Sequence, residues 1–342
     1  MRVITQPISL IYGLIISIRN ILFDLKILKS VKYDIPIICV GNISVGGTGK
    51  TPHVKYLIHI LKKKNVCVLS RGYGRNKKGL QIVKDTSSFL DVGDEPLEIK
   101  KQFSNCTIVT CENRQSGIRY IKKKYPKTDI IIMDDGFQHR WVEAGLYIIL
   151  NDYNNHIYND KILPLGRLRD FTKELKRADI VITTKCPDQI DIQEKEEIIQ
   201  KLNITENQKS FFSKIDYQDI KSIFNYSNKI KLSKELDVLL ITSIANPNIL
   251  ANKIKIEVKS LTCIRFQDHH NYTKKDIHHI LHTFNKIKSD KSVILTTEKD
   301  KVKLESFTED LKDINIYFIP INITIDKQKE FKKEILKYVE SN

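Results

Sequence analysis

The segment Val40-Gly41-Asn42-Ile43-Ser44-Val45-Gly46-Gly47-Thr48-Gly49-Lys50-Thr51-Pro52 concentrates residue types that can grip a polyphosphate. Glycines at 46, 47 and 49 let a loop turn its N–H groups inward without Cβ clashes. A helix starting at Lys50 would add the positive end of its dipole. The Lys50 ammonium can reach β- and γ-phosphates, and the Thr51 hydroxyl can ligate Mg²⁺. The strict pattern asks for glycine at 44, where this chain has Ser44. A glycine-rich turn with an incidental lysine is the plain alternative. The flanks argue against it, because the apolar run Ile35–Val40 precedes the loop and an amphipathic stretch follows it. The expectation is a nucleoside triphosphate held by Gly46, Gly47, Thr48, Gly49, Lys50 and Thr51.

Other residues could complete such a site. Four apolar residues, Ile130–Met133, deliver Asp134 and Asp135 to the end of a strand, where a phosphate-loop protein holds Mg²⁺. A solvated acidic turn is the alternative. Gly93-Asp94-Glu95-Pro96 opens a helix: Asp is a common cap and Pro fits a first turn. A carboxylate there could equally take a proton from an attacking hydroxyl, and the pattern leaves the two readings tied. Asp268-His269-His270 precedes a helix capped by Thr273. Those histidines could bind metal, tune a base or lie on the surface. His278 and His282 share a helix face with no third ligand, which reads as solvated.

The elements that must position these groups are short apolar runs at 66–69, 107–110, 129–133, 147–150 and 179–184, alternating with helical stretches. That alternation predicts a parallel sheet with helices on both faces, and ligands in such sheets sit at the carboxyl ends of strands. Over 206–235 the texture turns to Asn, Gln, Lys, Ser and Tyr with weak periodicity, a linker or strand pair. A second α/β set follows, with helices expected near 248–256, 274–288 and 327–338. The predicted fold is α/β: a P-loop NTPase-like parallel-sheet domain with a second, smaller α/β domain joined by a short linker. The segments are an N-terminal helix over 1–32, the phosphate-loop domain over 33–205, the linker over 206–235 and the smaller domain over 236–342, whose last helix has the option of returning to the first domain.

A chain of 342 residues with 57 Lys and Arg against 41 Asp and Glu carries a net charge of +16. Such a field suits an anionic partner. The lysines are spread over many helices, and no basic run interleaves with aromatics as single-stranded nucleic-acid platforms require. Nucleic acid is therefore not an expected partner. The six cysteines show no C-x-x-C pairing, which suggests buried thiols in a reducing compartment.

Residues Val3–Ile18 carry no charge, and Pro7 and Gly13 interrupt them. At about 16 residues the run is short of a spanning helix, and no small-x-small cleavage site follows. On a helical wheel Ser9, Gly13, Ser17, Asn20 and Asp24 form one narrow polar stripe, and nearly all the rest is Ile, Leu, Tyr or Phe. A helix this apolar must be covered by protein, by lipid or by both.

Taken together, residues 40–52, Leu-Ser-Arg-Gly-Tyr-Gly-Arg (69–75), Val-Gly-Asp-Glu-Pro (92–96), Asp-Asp-Gly-Phe-Gln-His-Arg (134–140), Leu-Pro-Leu-Gly-Arg-Leu-Arg-Asp (163–170), Phe-Gln-Asp-His-His-Asn-Tyr-Thr (266–273) and Thr-Thr-Glu-Lys-Asp (296–300) resemble the tetraacyldisaccharide 4'-kinase (lipid A 4'-kinase) family. The resemblance spans about 40–300, and serine at 44 is similar to the family's own loop. It implies ATP- and Mg²⁺-dependent phosphorylation of the 4'-hydroxyl of an acylated glucosamine disaccharide 1-phosphate, at the cytoplasmic face of the bacterial inner membrane, by a monomer. Carried onto this chain, it implies that Lys50 and Thr51 hold phosphates and metal, with Asp134 and Asp135 at the metal. Asp94 would be the base, His269 would tune it, and Arg169 would neutralise phosphate charge. The family often has Glu where this chain has Asp170.

The competing reading is a membrane-associated ATPase of the partitioning or ion-pump-associated type. Those proteins carry a lysine just before the glycine pair, where this chain has Val45. A third is a nucleotide switch with slow hydrolysis and no acceptor.

Overall fold

The computed structural model describes residues 2–287 and 289–341. Met1, Lys288 and Asn342, at the ends of the expected segments 1–32, 274–288 and 236–342, lie outside the described residues. In chain order the elements used below are α1 (Arg2–Asp24), β1 (Ile37–Gly41), α2 (Lys50–Ile60), β2 (Val66–Ser70), β3 (Gln81–Ile82), α3 (Asp94–Gln102), β4 (Thr107–Thr110), α4 (Arg114–Lys124), β5 (Ile130–Asp134), β6 (Leu146–Asp152), β7 (Ile180–Thr184) and α5 (Ile192–Lys201). There follow β8 (Lys209–Tyr217), β9 (Ile220–Ser222), β10 (Lys229–Ile230), β11 (Asp237–Thr242), α6 (Asn248–Glu257), β12 (Ser260–Arg265), α7 (Lys274–Asn285), β13 (Ser292–Thr297), α8 (Glu298–Leu304), β14 (Ile316–Ile319), β15 (Ile321–Ile325) and α9 (Gln328–Glu340).

Nine strands form the larger sheet in the order β15-β8-β7-β6-β1-β5-β2-β4-β3. All neighbours from β8 to β4 are parallel, and the outermost strand at each edge is antiparallel. Its central strands are continuous apolar runs because both faces are covered. Ile38 and Val40 pack with Val54, Leu57 and Ile58 of α2 on one face, and Ile37 and Cys39 pack with Ile118 and Ile121 of α4 on the other. The smaller sheet runs β10-β9-β14-β13-β11-β12, also with a core on each face. The α/β reading of the sequence therefore holds.

The segment expected as a linker contains sheet strands. Within 206–235, β8 pairs with β7 in the larger sheet, whereas β9 and β10 belong to the smaller one. The chain crosses between sheets twice at one place, from β8 to β9 and from β14 back to β15. The strands β8 and β15 pair along 213–217 and 321–325, and the Gln218 N–H donates to the Pro320 carbonyl at 2.9 Å. The periodicity of β8 is weak because its far end pairs only with β15 and buries little: of Lys209–Tyr217 just Phe211, Phe212 and Ser213 are buried. The final helix packs on the larger sheet, with Phe331, Ile335 and Val339 in the α2 core. Its Tyr338 hydroxyl bonds the N–H and the carbonyl of Ile37 at 3.0 and 3.1 Å.

Helix α1 meets the protein through the polar stripe. Ser9 Oγ donates to the Ile162 carbonyl at 2.8 Å, Tyr12 to the Arg169 carbonyl at 3.2 Å, and Asn20 Nδ2 to Asp170 Oδ1 at 2.8 Å. A side chain at Gly13 would run against Phe171. Ile8, Leu10, Ile11, Leu14, Ile15, Ile18 and Ile21 remain exposed. The helix is thus not an internal packing element, and Thr5–Asp24 is long and apolar enough to cross a membrane by length and composition.

Candidate active site

The loop between β1 and α2 has the shape its glycines suggest. Gly46 and Gly49 take φ of 103° and 90°, left-handed values that disfavour a side chain. Ser44 has no such φ. It bridges Leu168, beside a Val45 N–H to Arg167 carbonyl bond of 2.7 Å, so the missing glycine costs the loop nothing. The loop is braced from below. Asn42 Nδ2 donates to Thr48 Oγ1 at 2.8 Å, and Thr184 Oγ1 to the Thr48 carbonyl at 2.9 Å. His53 sits between the Gly49 carbonyl (2.7 Å) and Ser213 Oγ (3.0 Å). Burial drives its pKa down to about 4, so it serves as a neutral prop.

The two aspartates ending β5 differ. Asp135 takes φ 48° and receives both Nη atoms of Arg169, at 2.8 and 3.1 Å, with Lys50 Nζ at 3.8 Å. Burial opposes its ionisation, but Lys50 and Arg169 outweigh burial and hold the carboxyl well below the usual range. Arg169 also reaches the carbonyl and side chain of Asn42. Asp134 is 1% exposed; Ser70 Oγ donates to its Oδ2 at 3.0 Å. Its Oδ1 is buried with no hydrogen-bond partner among the described residues. Burial, with Glu95 and Asp135 nearby, pushes this carboxyl up to about 7 despite Lys50.

A third cluster closes the cleft from both domains. Asp94 opens α3, whose dipole favours a carboxylate there. His269, with φ 59° in the loop after β12, brings Nδ1 to within 3.0 Å of Asp94 Oδ2. On α8 of the same domain, Lys303 Nζ lies 3.2 Å from that oxygen and Lys299 Nζ 3.9 Å. Burial would raise the Asp94 pKa, but the His269 hydrogen bond and the two ammonium charges outweigh it and depress it strongly. Further along the interface, Lys55 of α2 bridges Glu98 (2.5 Å) and Glu298 (3.0 Å).

Between the domains lies a cavity of about 390 Å³. Gly46 to Thr51, Asp135, Arg169, Glu95, His269 and Lys299 line it, with an apolar end at Ile215, Tyr217, Ile249 and Ile321. The structure thus gathers every sequence-predicted site residue around one cleft. Asp94 and Asp134 lie just behind the wall, each the chain neighbour of a lining residue. The sequence reading gave no role to Asn42, Lys299 or Lys303, although Asn42 and Lys299 lie inside the motifs 40–52 and 296–300.

Among the described residues no three His, Cys, Asp or Glu side chains form a metal cage. Mg²⁺ does not need one, since it is held by one or two carboxylates, water and substrate phosphates. The bare, buried Asp134 Oδ1, short of positive charge and one strand away from the Thr51 end of the loop, fits a hard cation.

A sequence profile of tetraacyldisaccharide-1-P 4'-kinases matches residues 1–340 of this chain. The tetraacyldisaccharide 4'-kinase of Bacteroides thetaiotaomicron is 38% identical over 98% of this chain and 93% of its own. That of Flavobacterium psychrophilum is 40% identical over 98% and 96%. Among solved structures, LpxK from Aquifex aeolicus in complex with ATP is similar over 99% of both chains, with a TM-score of 0.76 and 29% identity.

Proposed function

The chain belongs to the tetraacyldisaccharide 4'-kinase family, and on that premise we propose how its residues divide the work. Its reaction is the ATP-dependent phosphorylation of the 4'-hydroxyl of a tetraacylated glucosamine disaccharide 1-phosphate, in lipid A biosynthesis. Phosphoryl transfer needs positioning and charge neutralisation more than covalent help. The N–H groups of 46–51 and Lys50 hold the phosphates of ATP, and Arg169 adds charge from the facing wall. Thr51 and Asp134, with Asp135 beside them, would hold Mg²⁺. Bound there, the ion would supply positive charge to offset that of the phosphates. Asp94 takes the proton of the 4'-hydroxyl as that oxygen bonds to the γ-phosphorus. The bond from γ-phosphorus to the β–γ bridging oxygen breaks, and ADP leaves. His269 orients Asp94.

The observation that carries this assignment is the 3.0 Å contact between Asp94 and His269, groups from two domains meeting beside the phosphate loop. An ATPase or switch without a lipid acceptor has no use for that pair. The exposed apolar face of α1 supports a further part of the proposal, that the protein is seated on a membrane surface; we place it, as a monomer, on the cytoplasmic face of the inner membrane, where its acylated substrate resides.

One experiment tests the whole. The enzyme is mixed with γ-labelled ATP and phospholipid vesicles carrying the disaccharide 1-phosphate. Label should enter the lipid, Lys50→Ala should abolish that transfer, and the protein should sediment with the vesicles unless Leu14→Glu and Ile18→Glu are introduced. Label found only in inorganic phosphate would defeat the kinase reading, and a double variant that still sediments would defeat the anchor.

A further inference from the structure

We propose that Lys55 is a positioning residue, whose buried ammonium clamps helices α2, α3 and α8 together and so keeps the cleft closed over the nucleotide. The inference rests on the reading of that cleft as the ATP site and adds to it the contact that shuts it. The three helices converge on one atom: Lys55 Nζ lies 2.5 Å from Glu98 on α3 and 3.0 Å from Glu298 on α8. Each of these residues stands next to a group placed in the site. Lys55 follows Thr51 by one turn of α2, Glu98 follows Asp94 by one turn of α3, and Glu298 precedes Lys299 at the start of α8. Helices α2 and α3 flank strands of the larger sheet, whereas α8 begins directly after β13 of the smaller one.

Lys55 and Glu98 are both buried, and a charge cut off from water is tolerated only where its partners meet it. Burial opposes the charge on Lys55, but Glu98 and Glu298 outweigh burial and raise its pKa. The two carboxylates repel each other across the interface. Burial raises Glu98 to about 7, and the Glu298 charge adds to that rise against the pull of Lys55. With the ammonium between them the interface attracts; without it, like charges face each other from opposite sides of the cleft. The neighbouring lysines are engaged elsewhere. Lys301 lies over the rings of Tyr226 and Phe318 at 4.2 and 4.4 Å, and 3.7 Å from Glu305, which Lys101 of α3 also pairs. Val302 of α8 adds an apolar contact to the α2 core, but such a contact is non-directional and sets no register.

The consequence concerns affinity. The cavity takes its walls from both sides, the phosphate loop from one and Ala245, Asn246 and Ile249 from the other. The two sides already touch there, because a Cβ on Gly47 would lie 3.3 Å from Ala245. A nucleotide that contacts both walls binds the closed arrangement, and its apparent affinity scales with the fraction of molecules that are closed. Lys55 stands behind the wall that Glu98 and Glu298 help to form. It therefore sets the affinity for ATP without touching ATP.

The test reads closure as the distance between spin labels at Lys63→Cys and Glu309→Cys, exposed positions on the two sides. A Cys263→Ser background removes the half-buried thiol, and the other five cysteines are buried. Without nucleotide the labelled protein should show one short distance, and Lys55→Met should show a longer and broader distribution. A non-hydrolysable ATP analogue with Mg²⁺ should bring that variant back to the short distance. In the transfer assay Lys55→Met should raise the KM for ATP about 10-fold, as a closed fraction of about one tenth requires, and leave kcat at saturating ATP within about 3-fold of wild type. Adding Glu298→Gln to Lys55→Met removes the repulsion and should recover most of the distance and the KM, a rescue that a merely structural role does not give. The proposal is overturned if Lys55→Met keeps the wild-type distance and KM, or if the double variant is no better than the single one. Should Lys55→Met fold poorly, Glu298→Lys sets a like charge against Lys55 and answers alone: a short nucleotide-free distance with an unchanged KM overturns the clamp. If wild type shows no saturation by ATP, the reading of the cleft fails, whereas the nucleotide-free distances still judge the clamp.

Discussion

Asp94 and Asp134 are both nearly inaccessible carboxylates beside the same cleft, yet their surroundings drive them in opposite directions. Asp94 faces an imidazole nitrogen and two ammonium groups delivered by the other domain, which hold its pKa well below the usual carboxylate range. Asp134 faces other carboxylates and one serine, keeps an oxygen without a partner among the described residues, and is pushed toward protonation because burial and those carboxylates outweigh the Lys50 charge. Equal burial therefore does not mean equal chemistry. The first carboxylate has its counter-charges supplied by the protein itself. The second has too little positive charge around it to offset its burial and its acidic neighbours.

That contrast can be broken at three points. The largest effect is expected from Asp94→Ala, which should lower kcat by about 10²–10⁴-fold with little change in the KM for ATP; undiminished turnover would remove Asp94 from the reaction. Next, Asp134→Asn should raise the Mg²⁺ concentration needed for half-maximal rate on the order of 10–100-fold, whereas Asp94→Ala should leave that concentration alone. Equal Mg²⁺ dependence in the two variants would erase the distinction. The smallest effect is in stability. In chelator, the unfolded Asp134 carboxyl loses its proton near 3.8 while the folded one keeps it to about 7, so wild type should weaken as pH rises through that window. Asp134→Asn should be spared that loss, on the order of 2 kcal/mol between pH 5 and 8 by urea titration. Glu98, raised to about 7 by burial, is present in both proteins and cancels in the difference. The folded pKa of Asp94 is depressed, so its contribution is full above about pH 4 and is lost only in stronger acid. Parallel pH profiles for wild type and Asp134→Asn would show that the two carboxylates do not differ as described.

Legibility in the sequence follows contact order. The phosphate loop, the Asp134-Asp135 strand end and the polar stripe of α1 are local patterns, and local backbone geometry is what residue spacing encodes. Asp94 and His269 were visible as residues, but their meeting is a contact across 175 positions, which neither local pattern contains. The contacts of Lys299 and Lys303 were harder still: Lys299 stood in the motif 296–300 without a role, and Lys303, one of 57 basic residues, carries no mark until its buried partners are seen. The division near 206–235 blurred for a related reason: β8 begins in one sheet and its far end pairs only with a strand that arrives about 100 residues later.

The seat of α1 has a mechanical side. Asp170 takes the hydrogen bonds of Asn20 and Arg19, and the carbonyl of Arg169 takes that of Tyr12. The guanidinium of Arg169 meanwhile grips Asp135 and Asn42 at the head of the phosphate loop. The greasy helix and the wall beside the phosphate loop are thereby joined through two consecutive residues, 169 and 170. A tilt of the helix would reach the cleft by that short lever.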